Sequence, residues 1–221
     1  MTRYQDYAVL WDMDGVLVDT GDFHYQSWKE TFEELDVPFD KEVFRKTFGK
    51  NNAGILEWLF GRKPEPDEVT RISDKKESLF RELIKGKAEP LPGVRSWLKQ
   101  FQTWNIKQAI TSSAPPENIE FLVAELKIGE YFNEIVSGFD LPGKPNPDVF
   151  LKAARKLQIL PEKCIVVEDA IAGVEGAKKA GMKCIAVTTT NPASALEKAE
   201  CIFDDLGAMG KEDFLSLLVI P

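Results

Sequence analysis

Two carboxylates stand two residues apart in Asp12-Met13-Asp14-Gly15, directly after the apolar run Tyr7 to Trp11. If that run is a strand, both acids face the crevice at its carboxyl end, where open α/β sheets bind ligands, and Gly15 lets the chain turn tightly. Alone, the stretch reads better as an ordinary Asp-Gly turn. It is not alone. Thr111-Ser112-Ser113 follows the apolar run Ile106 to Ile110, Glu168-Asp169 follows Cys164 to Val167, and Lys144 lies in the loop Gly143-Lys144-Pro145-Asn146-Pro147-Asp148 beyond the weaker run Glu134 to Ser137. Singly, these are helix caps and surface loops. Delivered to one edge of one sheet, they amount to at least three carboxylates, an ammonium and a hydroxyl, the set that holds a divalent cation beside a phosphoryl group. Oxygen donors next to a phosphate favour Mg²⁺ over zinc.

Other chemistries have less to work with. The chain has one histidine, His24, so Ser-His-Asp catalysis, Cys-His catalysis and any histidine-based zinc site would all depend on it. The three cysteines, Cys164, Cys184 and Cys201, sit in or beside apolar runs without C-x-x-C spacing and read as reduced, structural thiols. Carboxylates and lysines are left to do the work.

The elements that must position these groups alternate. Apolar runs at Tyr7 to Trp11, Ile106 to Ile110, Glu134 to Ser137, Cys164 to Val167 and Cys184 to Val187 read as strands, most of them buried on both faces. Between the later ones lie helical patterns at Pro116 to Leu126, Pro147 to Leu157 and Ala170 to Ala180, the last ending at Gly181. Alternation of this kind predicts an α/β fold with a doubly wound parallel sheet and a Rossmann-like core. The interval 22–88 interrupts it with helical patterns alone, including Asp22 to Leu35 and Pro66 to Ile84, and reads as an inserted helical cap. The expected organisation is therefore a core made of 1–21 and 89–221, with hinges at Thr20-Gly21 and at Glu89-Pro90-Leu91-Pro92-Gly93. Phe23, Trp28, Phe32, Leu35, Trp58 and Leu59 are expected to form the cap's own core.

With 221 residues, 43% of them hydrophobic and 29% charged, the chain can bury a sizeable core, and no stretch approaches the length of a membrane span. Acidic residues outnumber basic ones 36 to 28, a net charge of -8 that is the wrong sign for neutralising nucleic-acid phosphates or an anionic membrane. The N-terminal segment lacks the pattern of a secretory signal, so the expectation is a cytoplasmic protein, a monomer, acting on a small phosphorylated metabolite.

D-M-D-G-V, the Thr/Ser-ending strand, G-K-P-N-P-D and V-V-E-D-A-I-A-G-V-E-G-A-K-K-A-G resemble the four successive motifs of the haloacid dehalogenase-like hydrolase superfamily, in order and across the whole core. The insertion resembles that superfamily's small helical cap. Asp19-Thr20 with His24 and Trp28 resembles the branch of beta-phosphoglucomutase and small-sugar phosphatases. The resemblance implies that Asp12 is a nucleophile forming an aspartyl-phosphate, and that Asp14 protonates the leaving oxygen and then deprotonates water. It implies that Thr111, or in another alignment Ser112, donates to a phosphoryl oxygen and that Lys144 balances charge. Mg²⁺ would rest on Asp12, the Asp14 carbonyl and Asp169, with Glu168 nearby and acting through water. Substrate contacts are implied for Thr20, His24, Asn52, Lys76 and Ser112. The superfamily's dehalogenases lack the second aspartate, so Asp14 argues for phosphoryl transfer.

A phosphatase is the expected activity. Its rivals are a beta-phosphoglucomutase-type mutase and a phospho-acceptor signalling domain, although the latter needs neither a lid nor a resident acid such as Asp14. Against the mutase stands Gly49-Lys50-Asn51-Asn52, where the resemblance puts Asn52 at the position of an arginine that clamps the mutase substrate's second phosphate.

Overall fold

The computed structural model describes residues 4–47 and 50–218, so Gly49 of the mutase comparison lies outside the described residues. The chain divides into two compact units, one made of 1–19 and 89–221, the other of 20–88.

The first unit is built on a six-stranded sheet of β1 (Ala8–Trp11), β2 (Lys107–Ser112), β3 (Glu134–Ser137), β4 (Cys164–Glu168), β5 (Lys183–Val187) and β6 (Cys201–Phe203). All neighbours are parallel, in the order β3-β2-β1-β4-β5-β6. Parallel strands need crossovers, and α5 (Val94–Thr103), α6 (Pro116–Leu126), α7 (Asp148–Leu157), α8 (Ile171–Lys179) and α9 (Lys211–Leu217) belong to this unit. Every residue of β1 and β4 is buried, which is why those runs read as continuously apolar. On one face Leu10 and Val166 pack with Phe150 and Leu157 of α7 and Val174 and Ala177 of α8. The other face is aromatic: Trp11 meets Phe101 of α5, whose ring lies 4.5 Å from that of Phe214 in α9. Trp11 still needs a partner for its indole proton, and Nε1 donates to the buried Gln108 at 3.1 Å.

The order places β1 where the chain reverses direction across the sheet, with β2 on one side and β4 on the other. Trp11 pairs with Ile110 and with Val167, so the next residues, Asp12, Thr111 and Glu168, reach the carboxyl edge in one row. That edge at a switch point is where doubly wound sheets bind ligands. The strand β6 carries no clear signal in the sequence, since its three residues are all only half-buried at the sheet's edge.

The second unit contains α1 (Gly21–Glu33), α2 (Lys41–Thr47), α3 (Asn52–Phe60) and α4 (Pro66–Ile84). Trp28, Phe32, Phe39, Ile55, Leu56 and Ile72 form its core, with Leu35 and Leu59 partly buried against them. Trp58 does not join it and is 46% exposed: Ile55, Leu56 and Leu59 share one face of α3, and Trp58 falls off that face. Among the described residues no helix is long and apolar enough to cross a membrane.

Candidate active site

Asp12 is the first residue beyond β1, and its backbone N–H still donates to Val167 at 3.0 Å, which anchors it to β4. The chain then turns through Met13–Val18, with Gly15 at φ +85° and its N–H on the Val18 carbonyl at 2.8 Å. Only glycine fits there. A Cβ on Gly15 would stand 2.1 Å from Asp169 Oδ2, so the turn and the acid that follows the neighbouring strand β4 occupy adjoining space. Asp14 is half-buried within this turn.

Asp12, Glu168 and Asp169 are all buried, and each offers a carboxylate oxygen within 4.8 Å of the others. Lys144 reaches in from the loop before α7. Its ammonium donates to Asp12 Oδ1 at 2.5 Å, to Glu168 Oε1 at 2.6 Å and to the Thr111 carbonyl at 3.2 Å, matching its three protons with three acceptors. Burial opposes the charge on Lys144, but Asp12 and Glu168 outweigh it and hold its pKa above the ordinary lysine range. Burial pushes Asp12 up to about 7, with Glu168 and Asp14 adding to the effect and Lys144 opposing it. Asp169 is likewise raised by burial and by Glu168 and Asp12. Three buried carboxylates around one ammonium are short of positive charge. Clustered oxygen donors with that deficit fit a hard divalent cation such as Mg²⁺.

The acids are not equivalent. Glu168 is fully occupied, because Oε1 takes Lys144 while Oε2 accepts the N–H groups of Asp169 and Ala170 at 2.9 and 3.0 Å, just before α8. Asp169 instead accepts a hydroxyl from Thr190, at 2.5 Å on Oδ2. Thr190 belongs to Thr188-Thr189-Thr190-Asn191, the polar run directly after β5. Polar residues at a strand's carboxyl end are the same signal that marked Asp12 and Glu168, yet this run is absent from the sequence-based candidates. Thr189 donates to the Gly15 carbonyl at 2.5 Å, tying the run to the Asp12 turn as well.

Thr111 and Ser112, adjacent in a strand, project to opposite faces. The Thr111 hydroxyl is buried and donates to the Trp11 carbonyl at 3.3 Å. Ser112 Oγ accepts the Ala114 N–H at 3.0 Å, which leaves its own proton to donate elsewhere.

His24, Asn52 and Lys76 are brought together within the second unit. Lys76 is 2% exposed, so it is not a solvated lysine. Its Nζ lies 2.8 Å from His24 Nδ1, and because an ammonium only donates, Nδ1 accepts. The same ammonium donates to both oxygens of Glu77 at 3.0 Å, and Asn52 donates to Glu77 Oε1 at 2.8 Å. His24 stacks on Phe80 at 4.1 Å, and Lys76 lies over the Phe80 and Trp28 rings. Burial pushes Glu77 up, but Lys76 and Asn52 outweigh it and hold the carboxyl below its usual range. Glu77 has no distinguishing mark in the sequence, because acids on amphipathic helices are ordinarily solvated. Thr20 is buried at the start of α1, where its carbonyl accepts the His24 N–H at 2.9 Å.

The cysteines stand apart from this chemistry. All three are free thiols, and burial pushes Cys164 up to about 12 and raises Cys184 well above the ordinary thiol range.

A family model described as haloacid dehalogenase-like hydrolase matches residues 9–187. The chain is 35% identical over 194 residues to a Bacillus subtilis (strain 168) protein named beta-phosphoglucomutase, covering 84% of each chain. It is 31% identical over 202 residues to a phosphorylated carbohydrates phosphatase of Thermotoga maritima, covering 88% of this chain and 92% of the other. Its fold superposes on the crystal structure of a beta-phosphoglucomutase from Clostridium difficile with a TM-score of 0.85 at 26% identity, over 96% of both chains.

Proposed function

The chain belongs to the haloacid dehalogenase-like hydrolase family, and from that premise we propose that it is a Mg²⁺-dependent phosphatase hydrolysing a small sugar or polyol phosphate through an aspartyl-phosphate on Asp12. This is carried by the 2.5 Å contact between Asp12 and Lys144 inside a buried group of three carboxylates.

Asp12, Asp169 and the Asp14 carbonyl would hold the cation, with Glu168 beside them anchoring Lys144. When bound, the cation supplies the second positive charge that lets a carboxylate approach a phosphate dianion. Lys144 supplies the first. An Asp12 carboxylate oxygen attacks phosphorus while the bond to the substrate oxygen breaks, and Asp14 gives that oxygen its proton. Asp14 then takes a proton from water, which attacks the same phosphorus, breaks its bond to Asp12 and frees phosphate. For the hydroxyl that steadies a phosphoryl oxygen we assign Ser112 in place of Thr111, whose proton is turned to Trp11. Thr111 contributes its carbonyl, which helps aim Lys144.

Thr20, His24, Asn52 and Lys76 are proposed to select the part of the substrate that does not react. Glu77 decides what that part is. It neutralises Lys76 and takes one N–H of the Asn52 amide, and among these four described residues there is no bidentate cation of the kind that suits a second phosphate. Hydroxyl groups fit it better, which favours a phosphatase over a mutase that must retain a bisphosphate.

The 35% identity to a protein named beta-phosphoglucomutase supports the second reading. Both are tested by following free phosphate from a panel of sugar and polyol phosphates, with and without Mg²⁺, and from beta-glucose 1-phosphate with catalytic glucose 1,6-bisphosphate. Mg²⁺-dependent phosphate release from the panel is expected. Efficient glucose 6-phosphate formation with little phosphate released would establish the mutase instead.

A further inference from the structure

Asp169 must present an oxygen to a cation while buried among other acids, and a lone carboxylate there would be free to rotate or to take up a proton. The residues around it remove that freedom from one side. Oδ2 is confined between the Gly15 Cα, where no Cβ would fit, and Thr190, whose hydroxyl lies 2.5 Å away and whose methyl is close to the same spot. The Thr190 hydroxyl has two acceptors in reach, Asp169 Oδ2 at 2.5 Å and the Asp169 carbonyl at 3.1 Å. The Asn191 amide donates to Thr190 Oγ1 and to that same carbonyl, each at 3.0 Å, so the carbonyl already has a donor and the shorter contact, to the carboxylate, takes the hydroxyl proton. The turn is held in turn by Thr189 on the Gly15 carbonyl.

We propose that Thr190, oriented by Asn191, is a positioning residue for the metal site. It fixes Asp169 Oδ2 by a hydrogen bond and so leaves the other carboxylate oxygen to the cation. Hydrogen-bonded partners of this kind set ligand orientation, and their loss typically costs about 10–100-fold in metal affinity. The proposal rests on Asp169 as a Mg²⁺ ligand, and its test separates the two.

The test compares wild type, Asp169→Ala, Thr190→Val, Thr190→Ser and Thr188→Val after EDTA treatment. For each, the Mg²⁺-dependent rise in melting temperature gives an affinity without reference to turnover, and Mg²⁺ titration of phosphate release gives a second. Thr188 is the control, since it lies in the same run but its hydroxyl donates to Asp204. Thr190→Val, which keeps shape and loses the hydroxyl, is expected to need at least about 10-fold more Mg²⁺ by both measures, with kcat largely recovered at saturation. Thr190→Ser and Thr188→Val are expected to match wild type. If wild type shows no Mg²⁺ response, or Asp169→Ala responds like wild type, the metal assignment itself falls and this inference with it. If wild type responds, Asp169→Ala does not, and Thr190→Val binds as tightly as wild type, the positioning role alone is overturned. Equal weakening in Thr190→Val and Thr188→Val would also overturn it, as a general loosening of the loop.

Discussion

The Glu168 carboxylate occupies the space that a side chain on Gly173 would need: a Cβ there would stand 1.9 Å from Oε1 and 2.4 Å from Oε2. Gly173 lies in the first turn of α8, where glycine is otherwise a poor choice by about 1 kcal/mol. Its absence of a side chain lets the helix start directly beneath the acid that anchors Lys144.

Gly173→Ala is therefore expected to go against helix propensity. Alanine should stabilise the helix locally, yet the displaced carboxylate costs more, giving a net destabilisation of roughly 1–3 kcal/mol. Lys144 loses an acceptor, so phosphate release should fall by at least about 10-fold. Urea unfolding and steady-state kinetics check both. A variant as active as wild type would mean that Glu168 can move without consequence.

Asp12 makes stability depend on pH in a direction opposite to the usual acid. Its pKa is raised from 3.8 to about 7 by burial, with Glu168 and Asp14 adding. Between those values the folded protein binds more protons than the unfolded chain, so metal-free protein should lose stability as pH rises from about 4 to about 7, by on the order of a few kcal/mol. Asp169, also raised, adds in the same sense. The lowered Glu77 has the opposite sign, but its window lies below the ordinary glutamate value of 4.5. Chemical unfolding of EDTA-treated protein at pH 5 and pH 7.5 is the measurement. Mg²⁺ should restore stability more at pH 7.5 than at pH 5, and Asp12→Asn should remove much of the slope. Equal stability at both pH values without metal would contradict the electrostatics of the site.

Why some of this is visible in the sequence and some is not follows from the pleat and the register. Asp12 and Glu168 are legible because each follows or ends a run buried on both faces, where a charge has no structural reason to be. The choice between Thr111 and Ser112 is not, because it depends on which face of β2 points at the crevice, and that is set by pairing with β1 and β3. Thr188, Thr189 and Thr190 hide among residues that strands favour anyway. Glu77 hides on α4, whose polar stripe offers no way to tell a solvated acid from one buried against Lys76.

The two adjacent acids at the carboxyl end of β4 should fail differently as metal groups. Asp169→Ala removes a carboxylate whose partners leave an oxygen available, and is expected to weaken Mg²⁺ binding by about 100-fold or more. In Glu168→Ala the lost carboxylate had both oxygens engaged by Lys144 and by two N–H groups, so Mg²⁺ affinity should fall by only about 10-fold while kcat falls through Lys144. Titrating activity against Mg²⁺ separates affinity from kcat. If both variants require the same additional Mg²⁺, Asp169 is not the closer ligand.

Asp12 and Asp14 can be told apart by the leaving group. Asp12→Asn removes the nucleophile and should abolish turnover with every substrate, together with any acid-labile phosphoryl label on the protein. Asp14→Asn keeps the nucleophile but removes the proton donor. An alkyl phosphate expels a strongly basic alkoxide that needs that proton, so single-turnover phosphorylation should slow by about 10²–10⁴-fold. An aryl phosphate expels a phenolate stable enough to leave unprotonated, and phosphorylation should slow by less than about 10-fold. The second half of the cycle is the same for both substrates, because the aspartyl-phosphate no longer remembers its leaving group. With the aryl substrate, then, the variant should show a burst of phenolate followed by slow phosphate release, since Asp14 is missing again when water must be deprotonated. Rapid mixing with both substrate types resolves the two steps. Equal slowing of the first step for alkyl and aryl phosphates would show that Asp14 is not the acid, whatever its effect on steady-state turnover.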